Sequence, residues 1–85
     1  MKNDLDLHML LRVFDKIRTK GEQIEQGYQL EGVKAVSDFD GYTVVLSDVQ
    51  CNLTLFFHNK YEFDYPSGTA REQFENRILY IDKHF

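Results

Sequence analysis

The residues in this sequence that could carry acid–base, nucleophilic or metal chemistry are few and scattered. His8, His58 and His84 lie far apart, and no pair has the i, i+4 spacing that sets two imidazoles on one helix face. His58 has Tyr61 and Glu62 close behind it, a trio of types suited to general acid–base work. The plainer reading is a loop histidine that is solvated or hydrogen-bonded. Cys51 is the single cysteine, which excludes an internal disulfide and a zinc site built on several thiolates. No cation or helix N-terminus is expected beside it to make a reactive thiolate. Asp38-Phe39-Asp40-Gly41 has the flavour of a calcium loop. An EF-hand, however, needs an oxygen ligand at its fifth position, glycine at its sixth and glutamate at its twelfth. Counted from Asp38, this chain has Gly41 fourth, Tyr42 fifth and Val49 twelfth, so the match fails.

That stretch is better explained as a turn, since Asp and Gly tolerate left-handed backbone. The five glycines are dispersed and form no phosphate-binding loop. The reading therefore assigns no catalytic residue, no metal ligand and no cofactor. An enzyme is the less favoured class.

The totals narrow the possibilities further. Eighty-five residues allow one domain over 1–85, with a single small core. A net charge of −4 argues against nucleic acid as a partner, because phosphate binding needs a local excess of Lys and Arg. The basic set Arg12, Lys16, Arg18 and Lys20 could meet an acidic partner, but it is diluted by Asp15, Glu22 and Glu25. The first residues are charged and no apolar run reaches 18 residues, so neither a signal peptide nor a membrane span is expected. With a lone thiol, the expected setting is cytoplasmic.

The elements that would position these groups follow from periodicity. Leu7, Leu10, Phe14, Ile17 and Ile24 follow 3–4 spacing, with Gly21 at the missed position. Gly21 could stop the helix, but Ile24 keeps the stripe in phase, so the pattern predicts a helix from an Asn3 or Asp4 cap to about Gln26, bent at Gly21. From Tyr28 to Tyr65 the period is two, and four strands are expected. Asp40-Gly41 suits a type I′ hairpin pairing Phe39 with Tyr42, Ser37 with Val44 and Ala35 with Leu46. The second connection, at Asp48–Cys51, pairs Leu46 with Leu53 and Val44 with Leu55. A third, His58–Lys60 with a left-handed or bulged Asn59 or Lys60, pairs Phe57 with Tyr61, Leu55 with Phe63 and Leu53 with Tyr65.

The sheet then has one apolar face: Val33, Ala35, Phe39, Tyr42, Val44, Leu46, Leu53, Leu55, Phe57, Tyr61, Phe63 and Tyr65. Thr69-Ala70-Arg71-Glu72 reads as a capping box. It opens a helix to about Lys83 with Ala70, Phe74, Ile78, Ile81 and Phe85 on one stripe. The expected fold is α+β: an N-terminal helix, a four-stranded antiparallel meander and a C-terminal helix. Two layers result, with both helices on one sheet face.

The blocks Ser37–Thr43 and Phe56–Tyr61, followed by Asp64-Tyr65-Pro66-Ser67, resemble a small uncharacterised family of gammaproteobacterial proteins of this length. The resemblance implies a bacterial, cytosolic setting and brings no activity with it. Function must then be sought on the surface. The predicted registers turn Val36, Val45 and Phe56 away from the helices, with Thr43 and Thr54 around them and Lys34, Asp38, Glu62 and Asp64 as a rim. A clustered apolar patch with a polar rim is the form of a protein interface. The expected function is protein interaction on that face, with a partner or as a homodimer. The competing expectation is a ligand pocket around His58, Tyr61 and Tyr65.

Overall fold

Gly21 decides how the chain is organised. The computed structural model describes residues 6–37, 43–56 and 60–85. Helix α1 (Leu7–Lys20) starts at Asp6, whose side chain accepts a hydrogen bond from the His8 amide at 3.0 Å. The cap is thus Asp6 rather than Asn3 or Asp4. The helix ends at Gly21, whose N–H donates to the Ile17 carbonyl before the backbone becomes extended. Six strands follow in place of the four expected: β1 (Glu22–Ile24), β2 (Gly27–Leu30), β3 (Val33–Ser37), β4 (Thr43–Ser47), β5 (Asn52–Phe56) and β6 (Lys60–Asp64). Helix α2 (Gly68–His84) closes the chain.

The two additional strands come from the segment read as the end of the first helix and its sequel. Ile24 pairs with Gly27 and Leu30 with Val33, each pair closing a two-residue connection. The second connection has positive φ at both Glu31 (54°) and Gly32 (80°). Consecutive positive φ values define the primed turn whose twist matches paired strands. All six strands form one antiparallel meander in sequence order.

The expected pairings Ser37–Val44, Ala35–Leu46, Leu46–Leu53 and Val44–Leu55 are all present. The last hairpin is shifted: Leu53 faces Phe63, Leu55 faces Tyr61 and Phe56 faces Lys60. Lys60 is therefore a strand residue rather than part of the connection. A two-residue slip preserves which face each side chain takes, so the division between buried and open faces is unaffected. The expected Asp40-Gly41 turn, the Phe39–Tyr42 pair, and Asp38, Phe57 and Asn59 lie outside the described residues.

The core is one cluster. Leu10, Val13 and Ile17 of α1 and Ala70, Phe74, Ile78 and Ile81 of α2 cover Val33, Ala35, Val44, Leu46, Leu53 and Leu55 of the sheet. Both helices lie on the same face, as expected. Tyr61 and Tyr65 do not join this core. They remain 37 % and 42 % exposed, and Phe85 is exposed as well. Helix α2 is capped by Ser67, which accepts from the Ala70 amide at 3.1 Å. The expected Thr69 capping box gives way because a hydroxyl already stands two residues upstream in extended backbone, where a cap must be.

Helices α1 and α2 are clamped at one end by Asp82. Arg12 Nε and Nη2 donate to its two carboxylate oxygens at 2.7 and 2.9 Å, and Lys16 Nζ donates to its backbone carbonyl at 2.6 Å. The Arg12 hydrogen bonds, more than the charges of Arg12 and Lys16, hold the Asp82 carboxyl below its ordinary range. Its folded pKa is lower than its unfolded one, so its contribution is present above about pH 4 and is lost as pH falls through the folded value. Asp82→Asn is expected to lower the melting temperature near neutrality and to converge with wild type in acid. Thermal melts of both proteins from about pH 2 to 7 test this; a constant gap would assign the effect to packing instead.

Candidate interaction face

The sheet's second face carries no helix. Strand alternation and register sort its residues into rows running across the strands. One row is Ile24, Gly27, Val36, Val45, Thr54 and Glu62; the next is Glu22, Gln29, Lys34, Ser47, Asn52 and Asp64. On the other side of the first row lie Thr43, Phe56 and Lys60. The structure thus brings together the five residues singled out from sequence. Val36 pairs directly with Val45, Val45 with Thr54, and Thr43 with Phe56.

All five are half-buried rather than freely exposed, because neighbouring strands shield each side chain laterally. Val36, Val45 and Phe56 nonetheless lie outside the core cluster and the partly buried residues that pack on it. They form a separate apolar group. Lys34, Lys60, Glu62 and Asp64 are exposed around it.

Sequence reasoning missed one end of this face, having assigned it to a helix. Gly27 leaves a gap in the central row. A Cβ there would collide with the Ala35 carbonyl oxygen of the neighbouring strand, so no side chain can fill the position without moving backbone. On either side of it, Ile24 and Val36 line a depression of about 260 Å³ together with Glu25, Gln26, Gln29 and Lys34. The signal available was Gly27 itself, which sits in phase with Val36 once the turn at Glu31-Gly32 is recognised.

Of the residues of the competing expectation, Tyr65 is engaged with α2. Tyr65 Oη accepts from Arg71 Nη1 at 3.2 Å, and the same guanidinium lies 5.1 Å from the centres of both the Phe63 and Tyr65 rings. Arg71 is itself tied to Glu75 by a 2.9 Å hydrogen bond. This cluster fastens the end of β6 to α2, so Tyr65 has a structural task. Tyr61 stands near the start of β6, and neither residue lines a described depression. His58 lies outside the described residues.

A wider depression of about 770 Å³ lies between the Glu31-Gly32 turn and the outer flank of α2, lined by Gln73, Asn76, Arg77 and Tyr80. Its walls are exposed and polar, whereas sites that retain small molecules are mostly apolar and enclosing. Among the described residues, no three His, Cys, Asp or Glu side chains gather to hold a metal. His8 is on α1, while His84 stacks on Tyr80 with ring centres 4.4 Å apart.

The basic residues of α1 are largely committed. Arg12 and Lys16 serve Asp82, and Arg18 pairs with Asp15 at 2.6 Å. An acidic partner would have to compete with these internal contacts.

Cys51 is also spoken for. It is 1 % exposed, its amide donates to Asp48 Oδ1, and its thiol donates to the Ala70 carbonyl at 3.4 Å. Burial first, and the Asp48 charge second, push its pKa up. A thiol reagent at neutral pH should modify the native protein at least about a hundredfold more slowly than the urea-unfolded chain, since reaction must wait for opening. Equal rates in the two states would contradict this burial.

Among known proteins, residues 5–85 match the model of a family described as Protein of unknown function (DUF3081). The chain belongs to this family. Membership spans both helices and the whole sheet, so the open face and the Gly27 depression fall within the matched region. The resemblance to an uncharacterised family is thereby established. No curated protein and no solved structure matches the chain. Among the described residues, no helix is long and apolar enough to cross a membrane.

Proposed function

We propose that this protein is a small, non-enzymatic interaction module of a bacterial cytosol. It docks a protein, either a second copy or another chain, on the helix-free face of its sheet. The supporting observation is the grouping of Val36, Val45 and Phe56 on that face, outside the core, with charged residues of both signs around them. Such a patch supplies an apolar centre and a polar rim, the anatomy of a protein interface. A nucleic-acid strand stacked on Phe56 would need basic surroundings, and Glu62 and Asp64 oppose it.

Val45 is the residue to alter, because it sits between Val36 and Thr54 on the open face. Tagged wild-type and Val45→Lys chains would be used to recover proteins from the native cell, with a differently tagged second copy also present. A partner of the wild type is expected to fall about tenfold or more in recovery with Val45→Lys, the effect of losing a central contact. Arg77→Ala, on the opposite flank, should retain it. Equal recovery by Val45→Lys and wild type, with matching melting curves, would overturn the proposal.

A further inference from the structure

The open face holds both a large aromatic side chain and a recess, and these suggest what binds it. The recess is the depression beside Gly27, about 260 Å³ in volume, with Ile24 and Val36 as apolar walls and Glu25, Gln26, Gln29 and Lys34 as polar ones. That is below the usual range for a drug-sized ligand and suits a single side chain. The aromatic is Phe56, half-buried three strands away on β5 and one row further along. At about 4.8 Å between strands and 3.4 Å per residue, the separation is about 14 Å across and 7 Å along the sheet. The paired Val36 and Val45 stand between them.

We infer that the occupant of this face is a second copy of the chain, packed so that Phe56 of each copy enters the Gly27 recess of the other. This rests on the interaction-module reading and specifies its partner. A two-fold axis in the plane between two facing sheets exchanges equivalent positions, so each contact occurs twice. Placed midway between Gly27 and Phe56, oblique to the strands, it brings the Val36–Val45 pairs together at the centre.

The same axis settles where the charges go. On the flat lattice of the sheet, Lys34 on β3 is carried over to Glu62 on β6 of the second copy. Lys60, at the β6 edge, is carried to the β1 edge beside Glu22 and Glu25. These assignments were not used in placing the axis, and both set opposite charges together. A face that contains its own aromatic, its own recess and two self-complementary charge pairs favours a copy of itself over an unrelated chain. The Gly27 collision with the Ala35 carbonyl oxygen keeps the recess from being closed by a native side chain.

The test is sedimentation equilibrium from about 20 μM to 1 mM, paired with isotope-filtered NOE spectra of a mixture of labelled and unlabelled chains. Wild type should show a concentration-dependent dimer, with inter-copy NOEs from the Phe56 ring to the Ile24 and Val36 methyls. Phe56→Asp should be monomeric with an unchanged melting curve. Lys34→Glu and Glu62→Lys should each weaken dimerisation about threefold or more, and the double variant should recover most of the loss. A wild type that stays monomeric, or a dimer lacking the Phe56 contacts, overturns the inference. If that monomer still loses a different captured protein on Val45→Lys, the module reading stands and only the second copy is excluded. A dimer indifferent to both Phe56→Asp and Val45→Lys, with no other protein lost, removes both.

Discussion

Replacing Phe74 with alanine is expected to remove about 3–5 kcal/mol of stability, the usual cost of emptying a large aromatic site. Phe74 is fully buried on α2, and its ring centre lies 5.5 Å from that of Phe63 on β6. A domain of this size holds only about 4–13 kcal/mol in total. The loss is therefore a large share of what keeps the chain folded. A melting temperature lower by roughly 12–40 °C should follow, at about 4–8 °C per kcal/mol for a small domain. Urea unfolding followed by circular dichroism measures this directly. A shift under about 1 kcal/mol would mean that the space collapses around the missing ring, which two helices and a sheet meeting there should prevent.

Phe74 was also among the residues most legible in the sequence. Ala70, Phe74, Ile78 and Ile81 repeat at helical spacing and all four are buried. The central hairpins were legible for a similar reason: Val33, Ala35, Val44, Leu46, Leu53 and Leu55 can share one face in just one parity of register. What the pattern could not fix was position within that parity, so Phe63 came to lie opposite Leu53 rather than Leu55. In that register Phe63 meets Phe74 of α2, a contact between elements that local periodicity does not encode. Tyr65 shows the same dependence, because Arg71 draws it out of the core stripe.

The open face was half legible. Val36, Val45, Phe56, Thr43 and Thr54 were placed together correctly because their positions follow from hairpin parity alone. Ile24 and Gly27 were lost, since Ile24 is in phase with the apolar stripe of α1 and local periodicity cannot tell a further helical turn from a strand across a bend. The recess beside Gly27 changes what the face can do. An even apolar patch accepts many partners weakly, whereas a patch with a notch and fixed charges discriminates among shapes. The proposal of a second copy rests on that distinction.

The residue behind the missed strands gives the second large effect: Gly21→Ala is expected to destabilise the protein by about 1–3 kcal/mol, the range for forcing atoms into a filled space. Elsewhere the same change at a helix end would be mildly stabilising, by about 0.4–1 kcal/mol, because alanine narrows the unfolded ensemble. Gly21 has ordinary extended backbone, with φ of −87°, so no strain opposes alanine there. The obstacle is space. A Cβ would lie 2.5 Å from the carbonyl oxygens of both Ile17 and Gln29, and backbone on two elements cannot rotate away as a side chain would. The end of α1 and strand β2 would have to part, loosening β1 between them. Hydrogen exchange should therefore show faster amides in β1 and β2 than in β4 and β5. Gly68→Ala supplies the control, since a Cβ there meets nothing within 4 Å and should leave stability unchanged or slightly raised. If Gly21→Ala also proved stabilising, α1 would not be held against β2 as closely as the structure has it, and the early end of the helix would need another cause.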